Sequence, residues 1–136
     1  VNTDFSLAVH CILLLEAEGG RVLSSSAIAE RASVHPVRVR RVLSFLAAKG
    51  YIASKEGAGG GFSLAVPLEG IPLSEIYMIT KQDALKAKCH ECAKSCRFGA
   101  RLERALDRVF DEADGRLLSF LGTYSLRDVA GMVGPS

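Results

Sequence analysis

No stretch of this chain is apolar for long enough to cross a membrane as a helix. The most hydrophobic run, FSLAVHCILLL from Phe5 to Leu15, spans eleven residues, whereas a spanning helix needs about 20. No basic leader or small-residue cleavage site accompanies it, so a secretion signal is not expected and the chain reads as cytoplasmic. Excess charge is missing as well. Seventeen Lys and Arg against fifteen Asp and Glu leave only +2, and the bulk value by itself points to no partner. There is no internal repeat and no low-complexity tail. Among the three histidines no Ser/His/Asp set stands out. What is present suffices for one domain: 136 residues, 49% of them hydrophobic, can build a core without metal or disulfide support.

Cysteine is scarce except in one place. Three of the four fall in KCHECAKSC, residues 88–96. Cytoplasmic thiols are mostly reduced, which favours metal or redox chemistry there over a structural disulfide. In C-x-x-C, two sulfurs can bind one metal or cluster face, and a third cysteine nearby completes most of a shell. Cys89, Cys92 and Cys96 therefore read as candidate ligands of a metal site, with an iron–sulfur cluster as one occupant. Zinc with help from His90, a reversible Cys89–Cys92 disulfide, and no sensing role are the alternatives. Cys11, on the apolar stripe of the first helix, reads as a small core residue. His10 is assigned a structural role.

The periodicity predicts a mainly α chain with a small β-hairpin. Leu7, Cys11, Leu14 and Leu15 recur at helical spacing over residues 3–18, with Asn2 or Thr3 as the cap and Gly19-Gly20 as the stop. Ser24 caps a short helix over 25–32, packed through Ala27, Ile28 and Ala32. Ser33 to His35 form a tight connection. Pro36, well tolerated in a first turn, opens a helix to residue 48 whose inward face is Val39, Val42, Leu43, Leu46 and Ala47, ended by Gly50. Two strand-like runs around a glycine cluster in residues 51–66 predict a hairpin. A short helix over 73–80 precedes the cysteines. After them, Phe98, Leu102, Ala105, Val109, Ala113, Leu117 and Phe120 mark a long amphipathic helix to about residue 121. Ser125 and Asp128 predict a capping box for a last short helix.

Three helices and a hairpin in that order make a winged helix-turn-helix, whose second motif helix enters the DNA major groove. The local charge agrees. Residues 31–55 hold Arg31, Arg38, Arg40, Arg41, Lys49 and Lys55 and no acid, whereas residues 101–128 mix both signs. Affinity for DNA comes mainly from neutralised phosphates, so the local excess matters more than the net value. Arg38, Arg40 and Arg41 are the candidates for guanine edges and phosphates. Lys55, on the hairpin, is the candidate for a phosphate, with Ser24, Gly59 and Gly60 completing the DNA-binding set. GAGGGF at 57–62 is not a dinucleotide fingerprint, because Phe62 stands where glycine is needed and a strand follows instead of a helix. Its glycines instead permit positive backbone angles at the wing tip.

The stretch IAERASVHPVRVRRVLSFLAAKGYIASKEGAGGGFSLAVPLEGIPLSEIY resembles the winged-helix core of the Rrf-two family of bacterial transcription regulators. The IAE turn, the G-x-G-G-G-aromatic wing and the I-x-L-x-E-I run carry the likeness, which extends from Asn2 to about Val129. The resemblance implies a homodimer joined through the long helix from Phe98 and bound to a pseudo-palindromic operator, here read as a repressor. It also implies that Cys89, Cys92 and Cys96 correspond to the cluster cysteines of family members that carry one. The gaps here, two and three residues, are shorter than the family's, and Gly99 stands where one branch has a histidine ligand. Thr3-Asp4-Phe5 resembles the segment in which another branch supplies an aspartate ligand from the partner subunit. That makes Asp4 a candidate fourth ligand, against its reading as a cap or surface carboxylate.

The expected organisation is a DNA-binding domain over 1–80, a cysteine-containing sensor loop over 81–97, and a dimerisation helix with a short final helix over 98–136. A thiol oxidoreductase using Cys89 and Cys92 is the alternative from another class, although such motifs usually adjoin a βαβ unit and none is visible. A scaffold that ignores DNA is a third.

Overall fold

The computed structural model describes residues 3–81 and 97–134. Cys89, Cys92 and Cys96 lie outside the described residues, as does most of the expected sensor loop, and so does the side chain of the cap expected at Asn2 or Thr3. The first helix, α1 (Thr3–Ala17), is the centre of the core. It buries Leu7, Ala8, Cys11, Ile12 and Leu15. It ends before Gly19 and Gly20, whose φ values of 63° and 97° suit residues without a Cβ.

Helix α2 (Ser25–Ala32) begins where Ser24 offers its hydroxyl oxygen to the Ala27 N–H at 3.1 Å. It stops at Ser33, which takes the left-handed conformation (φ 55°, ψ 44°). That single residue turns the chain into α3 (Pro36–Ala48). Pro36 occupies the first turn, and His35 caps it: its Nδ1 accepts the Val37 N–H at 3.1 Å. Val39, Val42, Leu43 and Leu46 are buried on α3 against Ile28, Ala29 and the α1 face.

Strands β1 (Ile52–Lys55) and β2 (Gly61–Leu64) pair antiparallel, with Ile52 opposite Leu64 and Lys55 opposite Gly61. Leu23 adds a short third rung. Its N–H donates to the Phe62 carbonyl at 2.9 Å, and the Phe62 N–H donates back at 2.7 Å. The wing is thus fastened to the segment just before α2.

A 3-10 turn (Leu68–Gly70) leads into α4 (Leu73–Thr80). The long helix α5 (Arg97–Leu121) and the final α6 (Leu126–Val133) complete the described chain. The capping box expected of Ser125 and Asp128 is present. Helix α6 returns to the first part of the chain. The Leu126 N–H donates to the Ile71 carbonyl and the Leu73 N–H to the Tyr124 carbonyl, both at 2.9 Å. Leu126 is itself fully buried in the core.

Helix α5 contributes no buried residue. Phe110, Asp114, Leu117, Leu118 and Leu121 are half-buried on one side, where Asp114 accepts hydrogen bonds from the Tyr77 hydroxyl at 3.0 Å and Lys81 Nζ at 2.8 Å. A second, apolar stripe of Phe98, Leu102, Leu106, Val109 and Phe120 is exposed. No described helix is long and apolar enough to cross a membrane.

Candidate nucleic-acid interface

The fold is a winged helix-turn-helix. In this geometry α3 presents its outer face and its N-terminal half to a groove, while the hairpin flanks it. The outer face of α3 carries Val37, Arg40, Arg41 and Ser44, all exposed. Arg40 makes no ion pair among the described residues, so its guanidinium is available to a base edge or a phosphate. Val37 is 59% exposed at the start of the helix. An apolar side chain there suits a thymine methyl group. Sequence reasoning passed over Val37 because it weighed charge alone. The signal was a valine outside the inward-facing set.

Arg38 and Arg41 are engaged with a carboxylate of the same chain. Both reach back to Asp4 in the first turn of α1. Arg38 Nε donates to Asp4 Oδ1 at 3.1 Å, and Arg41 Nη2 donates to Asp4 Oδ2. The Asp4 side chain is 6% exposed, against 38% for Arg38 and 50% for Arg41. Burial pushes the Asp4 carboxyl up, but the hydrogen bonds and positive charge of Arg38 and Arg41 outweigh it and hold the group below its ordinary value. Arg41 also lies over the Phe45 ring, 6.0 Å from its centroid. Arg38 Nη2 is buried without a hydrogen-bond partner among the described residues.

The other candidates gather at the root and tip of the wing. Ser24 is exposed and capped onto α2, and its backbone adjoins Gly61: a Cβ there would lie 2.9 Å from the Ser24 nitrogen. Lys55 is exposed at the end of β1, opposite Gly61. Gly59 has φ 74°, as the reading of the wing tip requires. Gly60 is needed for a different reason. A Cβ on it would sit 2.2 Å from the Lys55 carbonyl oxygen and 2.8 Å from that of Gly57.

The described residues contain no group of three or more His, Cys, Asp or Glu side chains able to hold a metal, and the three clustered cysteines lie outside them. Cys11 is fully buried, and burial pushes its thiol up to about 11. It is a core residue with almost no thiolate character near neutrality.

Comparison with known proteins agrees with this architecture. Residues 1–131 match the Rrf2 family, described as "Iron-dependent Transcriptional regulator". The HTH-type transcriptional regulator NsrR of Bacillus subtilis is 30% identical over 128 residues, which cover 93% of this chain and 86% of that protein. A crystal structure of a protein from Lactobacillus plantarum is similar with a TM-score of 0.78 and 26% identity, covering 95% of this chain and 88% of the other. The structure of T. potens IscR shares the fold at a TM-score of 0.67 and 20% identity, covering 98% of this chain and 88% of that one.

Proposed function

Because the chain belongs to the Rrf2 family of helix-turn-helix transcription regulators, we propose that it binds double-stranded DNA in the cytoplasm as a homodimer and represses transcription from a pseudo-palindromic operator. Regulators of this family are not enzymes, so the thiol-oxidoreductase alternative falls away. The observation that carries the reading is Arg40, exposed on the outer face of a helix-turn-helix second helix and without an ion pair among the described residues. Ser24, Lys55, Gly59 and Gly60 would meet phosphates beside it. Arg40→Ala is expected to weaken operator binding by about 1–3 kcal/mol while leaving helix content and assembly state unchanged. Equal affinity of the two proteins for the operator would remove α3 as the reading helix.

The expected division of labour is a DNA-binding unit over 1–80, a sensor loop over 81–97 and a dimer-forming segment over 98–136, with α6 also lending Leu126 to the core of the first unit. The sensing group would sit on Cys89, Cys92 and Cys96. Three closely spaced thiolates have the donor chemistry of an iron–sulfur site, and a bound cluster would supply redox and ligand-exchange chemistry there. To complete that shell, the buried Asp4 carboxylate would have to reach the cluster from its present pairing with Arg38 and Arg41. Zinc and a Cys89–Cys92 disulfide are the competing occupants of the segment. Anaerobic purification followed by a visible spectrum and iron, sulfide and zinc analysis separates them. Stoichiometric iron and sulfide with a broad visible band supports the cluster. Colourless protein with zinc replaces it by a zinc site. Operator affinity indifferent to both metal state and thiol oxidation would remove the sensor and leave the regulator.

A further inference from the structure

Asp4 is the one charged side chain in the described core, at 4% exposure. Removing a carboxylate from water is unfavourable unless cations compensate it. Here the compensation comes from α3, the helix assigned to the groove. Two of the three arginines in the first half of that helix, Arg38 and Arg41, pair with the same carboxylate. Arg40, between them in sequence, does not.

We propose that Asp4 is a positioning residue for DNA recognition, holding Arg38 and Arg41 off the phosphate backbone so that sequence-independent binding stays weak and Arg40 dominates the reading. The inference rests on α3 being the groove helix. Its physical basis is competition. A phosphate that takes Arg41 must displace one anion with another and leave a buried carboxylate with fewer partners. The net gain from such an exchange is small, so a random duplex recovers little affinity from these two arginines. The side chains are also held by contacts within the protein: Arg41 by Asp4 and the Phe45 ring, Arg38 by Asp4. A carboxamide at position 4 keeps the volume and loses the charge, which releases both guanidinium groups toward the duplex.

The test is binding of the full chain to a random-sequence duplex over a series of salt concentrations, read by fluorescence anisotropy. Asp4→Asn should bind that duplex roughly tenfold more tightly at low salt, with a log–log salt slope steeper by about one to two per subunit, because each new phosphate contact releases counterions. Asp4→Glu should restore both quantities toward the parent, which a general loosening of α1 would not. Unchanged affinity and slope in Asp4→Asn, while Arg40→Ala still weakens duplex binding, would overturn this role and leave the reading helix standing. If Arg40→Ala also changes nothing, the reading helix itself fails. A second measurement needs no substitution. In the parent protein with nitrogen-labelled arginine, adding random duplex should shift the Nε–H resonance of Arg40 and leave those of Arg38 and Arg41 in place. Comparable shifts of all three would refute the proposal even if Asp4→Asn does not fold.

Discussion

At Gly61 the wing passes so close to the segment before α2 that a Cβ would lie 2.4 Å from the Leu23 carbonyl oxygen and 2.6 Å from its carbon. Both obstacles are backbone, held by the paired hydrogen bonds between Leu23 and Phe62, so neither can yield cheaply. Gly61→Ala is therefore expected to cost about 1–3 kcal/mol in urea unfolding and to weaken DNA binding through the displaced wing. A variant as stable as the parent would mean that the Leu23 rung contributes nothing. This contact was not legible in the sequence. The glycine cluster announced a tight turn, and positive φ at Gly57 and Gly59 answers that expectation. Gly60 is instead constrained by close backbone approach, and Gly61 by such an approach together with a φ of 152°; no local pattern encodes the approach. Asp4 shows the same limit. A cap or surface carboxylate was a fair reading of an acid near a helix start, yet its partners lie 34 and 37 residues away.

The elements themselves were legible where their ends are local. Ser24, Pro36, Gly50 and the Ser125/Asp128 pair each act within a few residues, and the helices they bound fall where their spacing predicts. His35 escaped as a cap because histidine is an unusual choice for that task. The tie between α4 and α5 was equally hidden, since Tyr77, Lys81 and Asp114 come from separate periodic runs. The hydrogen bond from Lys81 holds the Asp114 carboxyl below its ordinary value of 3.8. Its stabilisation is therefore complete above that value and is lost as pH falls through the lower, folded value. Asp114→Asn should remove about 0.5 kcal/mol at neutral pH and abolish that part of the loss in acid. Thermal melts of both proteins between neutrality and strongly acidic pH measure the difference. Parallel curves would show that the pair does not help hold α5.

For the whole molecule, the unusual feature is a 25-residue helix without one buried residue. Its half-buried side meets α4, but Phe98 at 64%, Val109 at 58% and Phe120 at 60% exposure lie on another face. These residues follow the apolar periodicity that the sequence shows from Phe98 onward, so the stripe was legible even though its partner was not. Exposed aromatic and aliphatic side chains aligned over this length are costly in water and mark an interaction surface. A second copy of the same helix would satisfy the stripe symmetrically and would set two α3 helices at a fixed separation, which a two-fold operator requires. Val109→Glu places a charge near the middle of that stripe without touching the core. In sedimentation analysis it should convert the proposed homodimer to a monomer. Its melting temperature should fall only as far as loss of the partner dictates. Operator affinity should fall well over tenfold, because two half-sites then bind independently, while contacts to a single half-site persist. A Val109→Glu protein that stays dimeric and binds the operator at full strength would place the dimer contact away from α5.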